Sequence, residues 1–172
     1  EDDVPRLAEI CNDPELAKAT DGIDIPYTEA RARKFIMSSL KEAAEGKAAV
    51  FGIERRDTGR LIGDIGIWHL DPYHRRGYLG CVIARAEWNR GHATEALWGL
   101  LGYAFDVLEL HRVDGGCLSW RTASARVQEK CGLKPEGVRR AREWRGDHFQ
   151  DETVFGLLRR EFEALREERE GP

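Results

Sequence analysis

The chain has 172 residues, a length that suits one domain, 1–172, with a real core. With 41% apolar and 34% charged residues it reads as soluble and globular, and a net charge of −4 excludes a domain-wide basic field for nucleic acid. No apolar run reaches membrane-spanning length and no signal peptide is visible, so neither membrane nor direct nucleic-acid binding is expected.

In chain order, Asp3–Asn12 predicts a short helix ended by Asn12-Asp13-Pro14. Thr28 is placed to cap the next helix, with Ala30, Phe35, Ile36, Leu40 and Ala43 as its apolar stripe and Gly46 as its close. Ala48–Arg55 and Leu61–Leu70 predict two strands joined as a hairpin through Asp57-Thr58-Gly59. Arg76–Ala84 predicts a third strand. Gly91–Glu109 is a long helix, its stripe running through Ala93, Ala96, Leu97, Leu100, Leu101, Ala104, Phe105 and Leu108. His111–Leu118 is a strand and Thr122–Lys130 a helix closed by Gly132. Glu136–Glu143 and Gln150–Leu158 flank Gly146-Asp147 as two more strands, and 159–170 is a charged C-terminal helix. Adjacent hairpins plus a βαβ crossover imply an α+β fold, a mixed sheet with helices packed on it.

Cys11, Cys81, Cys117 and Cys131 form neither a CxxC pair nor a zinc-like Cys/His spacing, so no metal is expected. Cys81 and Cys117 fall in apparent strands and read as small buried thiols in a reduced, cytoplasmic protein.

The most informative stretch is Cys81 to Ala96. A short β-branched run feeds a small polar and glycine turn that opens the long helix. Such a turn gathers free backbone N–H groups and the positive end of a helix dipole at one point, which attracts phosphate. Gly91 and Ala93 let a ligand approach the backbone, Asn89 and Thr94 offer side-chain donors, and Arg90 is expected to bring positive charge with no protein partner. From the residues alone, an ordinary strand-to-helix turn capped by Asn89 fits as well.

Trp88-Asn89-Arg90-Gly91-His92-Ala93-Thr94-Glu95-Ala96 resembles the acetyl-CoA signature of GNAT acetyltransferases, Arg/Gln-x-x-Gly-x-Gly/Ala, and most closely that of the ribosomal-protein-alanine N-acetyltransferase branch. Asp57–Gly63, Ala123–Gly132, Pro135-Glu136-Gly137 and Asp151–Phe155 resemble further family motifs in the family's order. The resemblance implies a mostly antiparallel sheet splayed between the third and fourth strands, with a first family strand missing before Glu1. It implies that backbone amides of Arg90, Gly91, His92, Ala93 and Thr94, with Asn89, hold the CoA pyrophosphate. Pantetheine would pair with the open edge at Cys81, Val82 and Ile83.

Acyl transfer to an amine needs a deprotonated amine, a donor to the thioester oxygen and an acid for the thiolate. Ser124 matches the serine of the family's Asn-x-x-Ser pattern beside the CoA sulfur. Arg121 replaces its Asn and could reach a CoA phosphate. Tyr78 stands where relatives often carry Glu, as a donor or a pocket wall. Asp64, His69, Glu143 and His148 are chemically capable bases, and none is assigned. Asp64, alternating with Ile65 and Ile67, lies on the opposite face from them. Trp68, Trp120 and Trp144 are candidate walls of an acceptor channel. The implied substrates are acetyl-CoA and an amine, either a protein N-terminus or a small molecule, and a second copy of the chain is a candidate partner. A CoA-binding module with little catalysis is the rival, motivated by Tyr78 and Arg121.

Overall fold

The computed structural model describes residues 2–20 and 22–171; Glu1, Asp21 and Pro172 lie outside the described residues. Its strands are β1 (Ala49–Glu54), β2 (Leu61–Asp71), β3 (Arg76–Ile83), β4 (Arg112–Leu118), β5 (Lys134–Arg145) and β6 (His148–Leu158). They form one sheet in the order β1-β2-β3-β4-β6-β5, antiparallel throughout except where β3 meets β4. The expected mixed sheet is therefore present, and the βαβ crossover supplies its one parallel pair.

Helices cover both faces. α4 (His92–Gly102), α5 (Thr122–Lys130) and α6 (Arg159–Glu170) pack one face around Ile67, Leu97, Leu101, Phe105, Val113, Leu157 and Phe162. α1 (Val4–Cys11), α2 (Pro14–Ala17) and α3 (Glu29–Ala44) cover the other through Val4, Leu7, Leu16, Tyr27 and Ala32. The charged C-terminal helix is part of the core. Phe162 is 1% exposed and stacks at tilted angles on Trp98 and Phe105, with ring centroids 4.9 and 5.1 Å away.

Four local expectations are corrected. Asp13-Pro14 does more than end a helix. The Asp13 carboxylate accepts from Glu15 N at 2.8 Å, and Pro14 takes the first helical position of α2, which together start a new turn. α3 begins as expected at the Thr28 cap but buries only Ala32, with Phe35 and Ile36 half-buried. Ala30, Leu40 and Ala43 face outward, because α3 meets α1 over one narrow strip. The helix after Gly91 stays regular only to Gly102. Tyr103–Val107 then forms one π turn, with Leu108 N donating to Tyr103 O at 3.0 Å and Arg159 donating to the carbonyls of Phe105 and Leu110. Cys11 and Cys131 are buried and Cys117 half-buried, but Cys81 is exposed.

The two apolar faces predict different costs. Leu101→Ala should lower unfolding free energy by about 2–5 kcal/mol, because it empties a fully buried site. Leu40→Ala, at a residue 61% exposed, should stay within about 0.5 kcal/mol. Urea titration of the two variants checks both.

Candidate active site

β3 and β4 pair only at Arg76–Tyr78 with Arg112–Asp114. Beyond Tyr78 they part. Glycines on β4 let side chains lean in at the parting. A Cβ at Gly115 would strike Leu79 and Gln128, and one at Gly116 would strike the Tyr78 hydroxyl and Glu152. The result is a cleft of about 730 Å³ that runs across the sheet. Tyr78, Leu79, Gly80, Cys81 and Val82 form one wall; Gly116, Cys117, Arg121, Ser124 and Gln128 form the other.

The floor on the α1–α3 side is set by strand alternation. Asp64, Gly66 and Trp68 share one face of β2 and stand opposite Val82, Gly80 and Tyr78 on β3. The Trp68 ring lies over the paired glycines, about 3.0 Å from where a Cβ of either would sit. Asp64 and Trp68 therefore end up in the same trough.

Downstream of β3, Gly91 is the N-cap of α4 with φ +88, and no side chain caps the helix. Asn89 takes φ +60 and does not serve as the cap. The first-turn N–H groups of α4 thus face outward from a backbone with open space at Gly91. The expectation that Arg90 has no partner is overturned. Glu87, in a 3₁₀ turn just upstream, accepts from Arg90 Nη1 at 3.2 Å and lies 3.3 Å from His92 Nε2 and 3.5 Å from Arg55 Nη1. His92's side chain turns toward a second groove, between β1 and α4, so this turn offers a ligand its backbone rather than that ring.

Within the cleft the polar groups divide by partner. The Tyr78 hydroxyl donates to Glu152 Oε1 at 2.7 Å, and Arg139 donates to Glu152 Oε2 at 3.2 Å. Burial first, and then the Glu152 carboxylate, push the phenol well above its usual range, so Tyr78 keeps its proton. Glu143 pairs with Arg142 at 3.3 Å and Arg145 at 3.5 Å. Ser124, in the first turn of α5, reaches Cys117. Burial raises the Cys117 thiol, while the Ser124 hydroxyl and the Arg121 charge oppose that rise.

Two charged groups have no such partner. Arg121 has no hydrogen bond or ion pair to a carboxylate among the described residues; its guanidinium spans the space between the Trp88 and Trp120 rings, 5.7 and 5.9 Å from their centroids. Burial lowers its proton affinity. Asp64, half-buried, also has no hydrogen bond or ion pair among the described residues. Desolvation alone lifts its carboxyl to about 7. Cys81 is exposed as a residue, yet its thiol is shielded by the cleft walls and repelled by Asp64, which push it up to about 12. Such a thiol is no nucleophile at neutral pH.

The cleft thus collects Tyr78, Cys81, Val82, Arg121 and Ser124 from the expected site residues. Ile83 is buried, and its carbonyl accepts from Trp88 Nε1 at 2.7 Å. Of the candidate bases, Asp64, His69 and Glu143 line the cleft, while His148 pairs with Asp147 at the β5–β6 tip. Trp68 lines it too; Trp120 and Trp144 are mostly exposed and lie outside the lining. Sequence reasoning missed Glu152 as the partner of Tyr78. The available signal was a carboxylate two positions before Val154-Phe155 in a core strand, where it needs a partner.

A family model described as an acetyltransferase (GNAT) domain matches residues 1–134. The chain is 29% identical over 162 residues to the uncharacterized N-acetyltransferase p20 of Bacillus licheniformis, covering 94% of this chain and 90% of that one. Mycobacterium smegmatis RimJ, solved in complex with CoA-disulfide, superposes with a TM-score of 0.87 at 21% identity over 99% of this chain and 85% of that one. The spermidine N-acetyltransferase of Vibrio cholerae, solved with CoA and spermine, gives 0.81 at 18% identity over 94% and 93%. Parted central strands, an uncapped helix start after β3 and a family match across most of the length agree: the chain belongs to the GNAT acetyltransferase family and is an N-acetyltransferase.

Proposed function

We propose that this enzyme acetylates the α-amine of a protein N-terminus by direct attack on acetyl-CoA. The carrying observation is the partnering of carboxylates in the cleft. Glu143 and Glu152 are occupied by arginines, so Asp64 is the one cleft carboxylate without a cationic partner among the described residues. A polyamine brings several ammonium groups and needs several free carboxylates. A protein N-terminus brings one. Its pKa of about 8, against about 10.4 for a lysine-like amine, also makes it easier to deprotonate near neutral pH. The resemblance of Trp88–Ala96 to the ribosomal-protein branch points the same way. A small amine with a single ammonium group is the runner-up, because the same charge balance admits it.

In this reading the backbone of Arg90–Thr94 with Asn89 holds the pyrophosphate, and the edge of Cys81, Val82 and Ile83, apart from the Ile83 carbonyl taken by Trp88, receives the pantetheine amides. Arg121 swings from its tryptophans to a CoA phosphate. Ser124 gives its hydroxyl proton to the departing thiolate. Tyr78, its proton committed to Glu152, walls the thioester rather than donating to it. Free cysteines and the need for acetyl-CoA support a cytoplasmic setting.

Gly91→Asp should weaken CoA binding by about tenfold or more, since it sets a negative charge and a Cβ at positive φ beside the pyrophosphate; calorimetry with CoA measures it. Ser124→Ala should lower kcat by about 10²-fold with little change in acetyl-CoA affinity, read by thiol release and calorimetry. A panel of N-terminal peptides, polyamines and single-ammonium small amines should show the peptides favoured in kcat/KM. Preference for spermidine would refute the acceptor assignment.

A further inference from the structure

We propose that Asp64 is the general base that takes the proton from the acceptor ammonium. The inference rests on the acetyl-transfer reading above and adds the group that faces the amine.

The geometry carries it. Asp64 sits in the trough shared with Trp68, directly across from Val82, on the strand next to the open edge proposed for pantetheine. Gly66 and Gly80 admit the Trp68 ring, which packs where their side chains would stand and forms one side of the trough. Every other carboxylate lining the cleft is engaged by an arginine or a phenol. What faces Asp64 is neutral at pH 7: the Cys11 thiol from α1, the Tyr27 phenol from the segment before α3, and the Cys81 thiol from β3. Arg31, on α3, acts on Cys11 and Tyr27 and does not pair with Asp64. A half-buried carboxylate in such company has one unfilled requirement, a cation. An incoming ammonium meets it.

The proton ledger closes without any further reagent. The ammonium binds Asp64 and yields one proton to it. The freed nitrogen lone pair forms the C–N bond to the thioester carbonyl carbon, and the C–S bond breaks with its electrons on sulfur. The Ser124 hydroxyl gives its proton to the thiolate and is restored by the second proton that the nitrogen sheds as the amide forms. Asp64 returns its proton to water. A carboxyl lifted to about 7 is suited to the task, because its basicity lies close to that of an α-amine.

The sign of the pH dependence follows. Activity requires ionised Asp64, so it should be lost as pH falls through about 7 and be full above it. Stability runs the other way. A carboxyl whose pKa is raised on folding favours the folded state when protonated, and that contribution is lost as pH rises through about 7. Removing the charge should therefore leave the protein at least as stable at pH 8.

The test compares wild type, Asp64→Asn and Asp64→Glu, with acetyl-CoA and two acceptors: a short peptide with a free N-terminus and 2-phenylethylamine. Thiol release is followed across mildly acidic to alkaline pH. Wild type should show an acidic limb near pH 7. Asp64→Asn should lose about 10²-fold or more in kcat/KM at pH 7, lose that limb, and recover only as the acceptor deprotonates by itself. Asp64→Glu should keep the limb. CoA affinity by calorimetry should be unchanged in all three, and the melting temperature of Asp64→Asn at pH 8 should not fall. An Asn variant with the wild-type pH profile and kcat/KM within about threefold overturns the assignment, whichever acceptor is used. Wild-type preference for 2-phenylethylamine instead overturns the N-terminal acceptor and leaves Asp64 as the base.

Discussion

The structure depends on one interruption: β3 and β4 hydrogen-bond over three residue pairs and then separate. A parallel pair in the middle of a sheet ordinarily continues, because buried backbone groups must find partners. Here the separation is held open by side chains at the fork. Tyr78 and Leu79 lean onto β4 where Gly115 and Gly116 offer bare backbone, and Gln128 of α5 fills the space beside them. The antiparallel ladders on either side stay intact, β2 with β3 and β4 with β6, so the interruption is confined to one seam. The fork places Ser124 and Arg121 against one open strand and Asp64 behind the other.

An open strand edge is a hydrogen-bonding template, and proteins ordinarily cover such edges. In this chain the edge lies inside a cleft, and at the start of α4, which follows β3 in the chain, first-turn N–H groups also lack an intrahelical acceptor. Both sets of groups call for the same kind of molecule, one with amides along its length and phosphates at its end. That requirement is written in the backbone, and the proposed pyrophosphate site at Gly91 and its neighbours rests on it. The side chains around it tell a different story. Glu87 gathers Arg55, Arg90 and His92, so these side chains face a carboxylate first, and the proposed anion site leans on the helix terminus.

What the sequence made legible follows the range of the forces involved. α5 was bounded correctly, Thr122–Lys130, because the glycine that closes it acts within a turn. The stripe of α4 through Leu97 and Leu101, continued by Phe105 in the π turn, was right because a single face meets the sheet. The stripe of α3 failed because its apolar residues outnumber the contacts that α1 can offer, and periodicity does not reveal what lies opposite. The alternation of Asp64 with Ile65 and Ile67 correctly placed it on the other face. That rule says which side a residue takes, not whether that side is solvent or a cleft wall. Tyr78 and Glu152 are 74 positions apart, and only the register of β3, β4 and β6 brings them together.

Two charges in the cleft remain unpaired. Asp64 and Arg121 are opposite in sign, partly desolvated and both without an ion-pair partner among the described residues. Leaving two such charges apart costs more than pairing them or replacing them with apolar groups, so stability alone gives no reason to keep them. Their placement does. Arg121 stands at the start of α5, on the donor side of the fork, and Asp64 stands in the trough behind the other wall. A guanidinium suits a phosphate and a carboxylate suits an ammonium. In the proposed reading the thioester and the nitrogen that attacks it lie between them, and the unpaired state of each residue keeps the two substrates in register.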